Sequence, residues 1–461
     1  MLVDVRLAVR WSPSERRRCL SDVAVKPALL TPILLAGAGL ALGAAVAACA
    51  DNPAPHFPAF EQLPSQSGLP DPLTLLDGTP VRTRDDWFQK RRPEIQALFE
   101  FYEYGQAPPP PTNLAGTIVR HEGHYFGGKA TLDEVRIHFG PSGTPPIHLL
   151  LVVPTKNRPA PVFVALNFCG NHAVLNDPAI SLPELWMPDS CKGCVKHRAT
   201  DDGRGAQAGV WAIENAIDRG YAIATFYDGD IDPDKNDSTD GVQPHYFAPG
   251  QTAPGEHAWA TIRAWAWGLS RVVDYLETRS DIDRQRICAT GHSRLGKTAL
   301  VAAAFDERIA LAAPHQSGTG GCALSRNNDQ ETVARITRVF PHWFNHTFTK
   351  FAGHEDRLPV DQHLLMCLVA PRPIFDSEGD QDKWANGTSG LRALQAADKV
   401  YKFLGLRGLV GTGVVRDEEP LTGPTVSDLV QYHRNTKHEL AKAYWTRLFD
   451  FADGYFAQRL R

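Results

Sequence analysis

Residues 286–300 pass from strand to helix through one tight turn, and that junction limits the folds open to the chain. Residues 286–290 read as a short buried strand and 296–305 as a helix of small side chains, with Gly291-His292-Ser293-Arg294-Leu295 between them. Such a junction holds its serine on a strained turn, the hydroxyl exposed and neighbouring backbone N–H groups aimed at the same spot. The general pattern places glycine two positions after the serine; here that position is Leu295, and Gly296 follows it. An ordinary N-cap serine after a glycine turn is the competing reading. Short apolar, β-branched runs recur at 148–153, 162–166, 222–226, 287–290, 311–313 and 373–375. Helical patterns lie between several of them, at 207–219, 256–277 and 295–305. In the second, Trp259, Ile262, Ala266, Leu269, Val273 and Leu276 recur at three- and four-residue steps and form one apolar face. This alternation predicts an α/β fold, a mainly parallel central sheet covered by helices on both faces. Functional residues of such sheets lie on loops beyond the C-terminal strand ends, where the serine turn falls.

The first 49 residues stand apart. Arg6, Arg10, Arg16, Arg17, Arg18 and Lys26 precede an uncharged apolar run, 27–49, that ends Val46-Ala47-Ala48-Cys49. This is the layout of an export signal. Cleavage at an Ala-x-Ala site and a lipobox with Cys49 lipidated are both open readings, and an uncleaved anchor is a third. The expected location is accordingly periplasmic, outer-membrane lipoprotein or secreted, with membrane contact only through an N-terminal lipid anchor. Residues 50–70 read as a Pro-rich linker and 71–461 as one catalytic domain. Net charge is −4 and the pI about 6.5, which argues against a nucleic-acid partner. Cys191-Lys-Gly-Cys194 lies in a proline- and aspartate-rich loop, where an oxidising compartment would allow a local disulfide. Zinc would need two more ligands and no second Cys-x-x-Cys exists, so no metal is expected.

A serine nucleophile needs a base, and the base needs an acid to orient it. With the serine first, the acid and then the histidine should follow. Tyr432-His433-Arg434-Asn435-Thr436-Lys437-His438 supplies two candidate bases before a closing helix over 440–456. His438 abuts that helix after polar residues and suits a loop tip, whereas His433 follows Leu429-Val430 and suits a strand. For the acid, Asp376-Ser377-Glu378-Gly379-Asp380-Gln381-Asp382 places four carboxylates within seven residues after the run at 373–375. The earlier loop, Pro314-His315-Gln316-Ser317-Gly318, has none.

Gly291-His292-Ser293-Arg294-Leu295-Gly296-Lys297 resembles the signature of the glucuronoyl esterases (carbohydrate esterase family fifteen), especially their bacterial branch. Further matches run from Asp71-Pro72-Leu73 to Phe451. They include Leu166-Asn167-Phe168-Cys169-Gly170-Asn171-His172, Tyr227-Asp228-Gly229-Asp230, Trp265-Ala266-Trp267-Gly268, Asp361-Gln362-His363, Ala370-Pro371-Arg372-Pro373 and Lys437-His438. The resemblance implies an α/β-hydrolase three-layer sandwich and a carboxylic ester hydrolase that needs no cofactor. It implies Ser293 as nucleophile, His438 as base and Arg294 as oxyanion partner. Lys297 and Glu331 match residues that bind uronate hydroxyls, and Trp384 an aromatic that packs on the sugar. Many members carry a glutamate where this chain has Gln316, which shifts the acid to the later loop; Asp382 fits best and Glu378 is the fallback. The implied substrate is a glucuronate C6 ester linking glucuronoxylan to a lignin alcohol. An esterase of other specificity, such as one deacetylating xylan, and a non-catalytic carbohydrate-binding lipoprotein are the alternatives. A monomer is expected.

Overall fold

Successive side chains of the central strands are both buried, and this sets the layers. In Ala160–Asn167, Val162, Val164 and Leu166 enter one apolar core while Phe163 and Ala165 enter another on the opposite face. A strand covered on both sides belongs inside a sheet flanked by helices. The computed structural model describes residues 57–421 and 426–459, all within one compact unit.

Ten strands make the main sheet among the described residues: β1 (Ala115–Tyr125), β2 (Ala130–His138), β3 (Ile147–Pro154), β4 (Ala160–Asn167), β5 (Ala222–Tyr227), β6 (Ile282–His292), β7 (Ile309–His315), β8 (Ile374–Gly379), β9 (Leu409–Val415) and β10 (Leu429–Arg434). Their order is β1-β2-β3-β5-β4-β6-β7-β8-β10-β9. The pairings from β1 to β5 are antiparallel and all later ones parallel. One face is covered by α2 (Thr261–Leu276), α3 (Arg294–Phe305), α4 (Gln362–Val369) and α5 (Gly387–Phe403). The other carries α1 (Ile213–Asp218) and α6 (Lys442–Arg459). This is the α/β-hydrolase sandwich.

Several sequence expectations change. The helix read over 207–219 breaks at Ala212, which has φ 51°, into a short turn Ala208–Trp211 and α1. The linker reading fails from residue 57 onward. Phe57 and Leu63 are buried, Tyr102 Oη donates to Pro58 O at 2.6 Å, and the Phe60 ring meets Phe351 edge-on at 5.2 Å. Aromatic burial therefore makes 57–70 part of the catalytic body. Residues 1–56, with the export signal and Cys49, lie outside the described residues. The disulfide joins Cys169 to Cys191, across 22 residues, and Cys194 is free. Cys169 follows the end of β4, so the bridge ties the loop that carries Cys191 to the C-terminal edge of the sheet. No helix among the described residues is long and apolar enough to cross a membrane.

Candidate active site

Ser293 sits where β6 gives way to α3, with φ 59° and ψ −125°, a conformation strained for any residue with a side chain. Its N–H donates to His315 O at 2.8 Å, which pins the turn to the end of β7. The two glycines around it are steric requirements. A Cβ on Gly291 would lie 2.2 Å from Leu295 O, and one on Gly296 2.9 Å from both Gly291 O and His315 O. The close approach thus falls at the third residue after the serine, and Leu295 is free to be large and buried. Arg294 opens α3; the N–H groups of Gly296 and Lys297 already donate to Ser293 O at 2.8 and 3.1 Å, which leaves those of Arg294 and Leu295 as the helix-start donors available to developing negative charge.

The loop after β10 brings His438 to this elbow. Its ring lies 4.6 Å from the ring of His292, the residue before the serine, and its Nδ1 lies 2.6 Å from Asp382 Oδ2. Burial opposes the Asp382 charge, but the His438 hydrogen bond and charge, with the N–H groups of Ala385 and Trp384, outweigh it. They hold the carboxyl below its ordinary pKa. Glu378 has no such support: burial, with the charges of Asp376 and Asp382, pushes its pKa well up and favours the neutral form. His433 is engaged elsewhere, with Asp380 at 2.9 Å and Gln431 at 2.8 Å. Gln316 is buried and clamps the backbone on both sides of His438. Its Nε2 donates to Lys437 O, and its Oε1 accepts from Glu439 N, each at 2.8 Å. It has become a strut for the base-bearing loop.

Arg294 is anchored by a residue that the sequence did not reveal. One guanidinium nitrogen pairs with Asp234, and Asp234 also accepts from His342 Nε2 at 2.9 Å and Trp343 Nε1 at 2.8 Å. The rings of Phe168, Phe340 and Trp343 surround the guanidinium at 5.1–5.5 Å. Arg294 Nε is buried and has no protein partner among the described residues, so one charged donor remains unsatisfied.

Lys297, one turn into α3, is buried, and its Nζ donates to Ser317 O (2.5 Å), Thr319 O (2.7 Å) and Glu331 Oε2 (3.0 Å). An ammonium has three donors, so all of them are committed. Glu331 also accepts from Thr319 N at 2.7 Å and, through Oε1, from Trp384 Nε1 at 2.6 Å. Lys297, Glu331 and Trp384 therefore form one connected unit, and the guanidinium of Arg335 lies 4.5 Å over the Trp384 ring. A serine, an imidazole with an oriented Nδ1 and an arginine with a free donor can together perform acyl transfer.

Comparison with known proteins agrees with this chemistry. Residues 205–405 match the family model described as glucuronyl esterase, fungi. A carbohydrate esterase from an unknown prokaryotic organism is 44% identical over 389 residues, 84% of this chain and 89% of that protein. A 4-O-methyl-glucuronoyl methylesterase of Schizophyllum commune is 31% identical over 74% of this chain and 75% of its own length. Among solved structures, a promiscuous esterase of carbohydrate esterase family fifteen from a marine bacterial metagenome aligns with TM-score 0.76 and 43% identity. It covers 86% of this chain and 98% of its own. A glucuronoyl esterase from Solibacter usitatus aligns with TM-score 0.78 and 34% identity, over 86% and 99%.

Proposed function

The chain belongs to the glucuronoyl esterase family and is a carboxylic ester hydrolase, and from that premise we propose that it cleaves C6 esters of 4-O-methylglucuronate in glucuronoxylan bound to lignin alcohols. The observation that carries the site assignment is the 2.6 Å contact of His438 Nδ1 with Asp382, beside the strained serine turn.

His438 Nε2 takes the proton of Ser293 as Oγ attacks the ester carbonyl carbon. The C=O π electrons move onto oxygen, and this oxyanion is held by Arg294 and the first N–H groups of α3. Asp382 keeps Nδ1 protonated and stabilises the imidazolium. Collapse of the tetrahedral species breaks the bond to the alcohol oxygen, which takes its proton from His438. Water, deprotonated by the same nitrogen, then releases the uronate from Ser293. The chemistry calls on no metal or organic cofactor.

Glu331 and Trp384 are the groups offered to the sugar, with Lys297 acting through Glu331 because its own donors are committed. An open groove of about 740 Å³ shares their two loops and is lined by Asn327, Asn328, Asp329, Thr332 and Asn386, among others. Amide and hydroxyl groups in that density suit the polysaccharide chain that carries the uronate. Export, by cleavage at an Ala-x-Ala site or with lipidation at Cys49, and a monomeric state complete the reading. The test is kcat/KM for benzyl glucuronate, methyl glucuronate and acetylated xylan, measured side by side. Glucuronates should exceed the acetyl ester by at least tenfold; the reverse order would replace this substrate with an acetylated polysaccharide.

A further inference from the structure

We propose that the Cys169–Cys191 bridge is a site of internal thiol–disulfide exchange. Cys194 acts as the resolving thiol: it moves the bridge to the pair Cys191 and Cys194, releases Cys169 and loosens the Arg294 side of the active site. The esterase reading supplies only an activity readout, because the exchange itself is read on the sulfurs.

Three sulfurs meet in one small cluster. Residues 191–194 form a turn closed by Cys194 N–H, which donates to Cys191 O at 3.0 Å. Gly193 takes φ 75° in that turn, and a Cβ there would lie 2.1 Å from Gly203 N, so packing fixes its shape. The ends of such a turn lie within about 7 Å, and a disulfide spans Cα atoms about 4.4–6.8 Å apart. Cys194 packs against the cluster of Cys169, Ala173, Met187, Cys191 and Tyr227. Its Sγ contacts are long, 3.6 Å to Met187 O and 3.7 Å to Asp189 Oδ1, so little holds the thiol in place. Cys288, Cys322 and Cys367 are fully buried, which leaves Cys194 as the accessible free thiol among the described residues.

The step balances without an outside oxidant. Cys194 gives its proton to water, and the thiolate attacks Cys191 Sγ. A new S–S bond forms there as the bond to Cys169 breaks, and the electron pair leaves on Cys169 Sγ, which then takes a proton from water. Gln207 Nε2 donates to Cys169 Sγ at 3.6 Å and so supports the departing thiolate. Burial and the Asp189 carboxylate hold the Cys194 thiol above its ordinary pKa, which keeps the resting bridge in place near neutral pH. The titratable groups around the thiol are Asp189 on its own loop, His197 beside Asp189 at 3.2 Å, and Tyr227 at the end of β5.

The bridge matters to the reaction because of what it holds. Cys169 directly follows Phe168, whose ring lies 5.5 Å from the Arg294 guanidinium. On the bridged loop, Trp186 O accepts from Tyr227 Oη at 2.6 Å. Without the covalent tie the Phe168 segment rests on non-covalent contacts alone, and the oxyanion partner loses part of its wall. Exchange should therefore lower kcat more than it raises KM.

Protein purified without reductant would be held for hours at about pH 6 and about pH 9, where the thiolate fraction differs, then acid-quenched and alkylated. Trypsin cuts after Lys192, so the two bridges give different linked peptides for mass spectrometry. At the higher pH a bridge between Cys191 and Cys194, with Cys169 alkylated, should reach about a tenth of the molecules or more. Cys194→Ser should keep the resting bridge and full kcat on benzyl glucuronate through the same treatment. Cys169→Ser, which leaves Cys191 and Cys194 to pair, should lower kcat about fivefold with KM within about twofold. Should that variant not fold, the wild-type peptides and the Cys194→Ser control still decide the exchange. A bridge between Cys191 and Cys194 that stays below about a hundredth of the wild type, a bridge from Cys169 to Cys194 instead, or full kcat in Cys169→Ser overturns the proposal. Exchange mapped as expected in a protein that turns over no glucuronate ester removes the esterase reading alone.

Discussion

Replacing Asp382 with asparagine removes the charge that faces His438 Nδ1 at 2.6 Å while leaving side-chain volume nearly unchanged. Asparagine can offer its carbonyl to Nδ1–H or its NH₂ to a bare Nδ1; the second arrangement puts the proton on Nε2, the tautomer that cannot act as base. The electrostatic part follows from geometry. A carboxylate and an imidazolium with charge centres about 4 Å apart attract by about 4 kcal/mol at an effective dielectric near 20. The His438 side chain is 36% exposed, so solvent screening lowers this to about 2–3 kcal/mol. At about 1.4 kcal/mol per decade, kcat should fall about 10²-fold from lost charge alone, and further from the wrong tautomer. The assay is kcat and KM on benzyl glucuronate, with circular dichroism as the folding control, run beside Glu378→Gln. Because burial favours the neutral form of Glu378, an isosteric amide there should leave kcat within threefold. Full turnover by Asp382→Asn together with its loss in Glu378→Gln would refute the reasoning and move the acid to β8.

Three further outcomes are expected. Asp234→Asn weakens the anchor of Arg294 and should lower kcat by about 10–100-fold, the worth of a charged hydrogen bond of about 1.5–3 kcal/mol, with KM within threefold. A rise in KM without loss of kcat would place Arg294 in ground-state binding instead. Lys297→Met leaves Glu331 buried without its partner and should reduce stability to denaturant by about 3–5 kcal/mol, with part recovered in Lys297→Met/Glu331→Gln. The third outcome concerns acid. Burial depresses His315 from its ordinary 6.5 to about 4. A base depressed in the folded state lends stability above the unfolded pKa and loses it as pH falls toward the folded one. Stability should thus drop between pH 6.5 and 4 by up to about 3 kcal/mol from this group, and His315→Gln should flatten that limb in urea titrations.

The elbow was legible because its signal is local: strand, glycine, serine and helix lie within one short stretch. His438 could be read from chain order and from its place before α6. The carboxylate that meets His438 was harder to read. Asp376, Glu378, Asp380 and Asp382 are spaced by two, so strand alternation puts them on one face and cannot separate them; what differs is whether each lies within β8 or past its end. Asp376 and Glu378 sit two residues apart on β8 and are both buried, Asp380 turns to His433, and only Asp382, beyond the strand end, meets His438. Asp234 was invisible because its partner lies 60 residues away and its own loop is crowded with other aspartates. The strands β1 and β9 escaped notice for a different reason. Both are edge strands with mostly exposed or half-buried side chains, so neither shows a continuous apolar run. The Cys-x-x-Cys spacing suggested the wrong bridge, since the fold brings Cys191 to the end of β4 instead.

The central claim is that Ser293 carries the acyl group of a glucuronate ester. Its most direct test is the rate of benzyl glucuronate hydrolysis by wild type and Ser293→Ala, with intact-protein mass spectrometry after exposure to a serine-directed phosphonate. The account predicts a loss of at least about 10⁴-fold in the variant, and one phosphonate adduct that maps to Ser293 in the wild type and is missing from the variant. Turnover by Ser293→Ala at more than a hundredth of the wild-type rate, or an adduct on another residue, would contradict it.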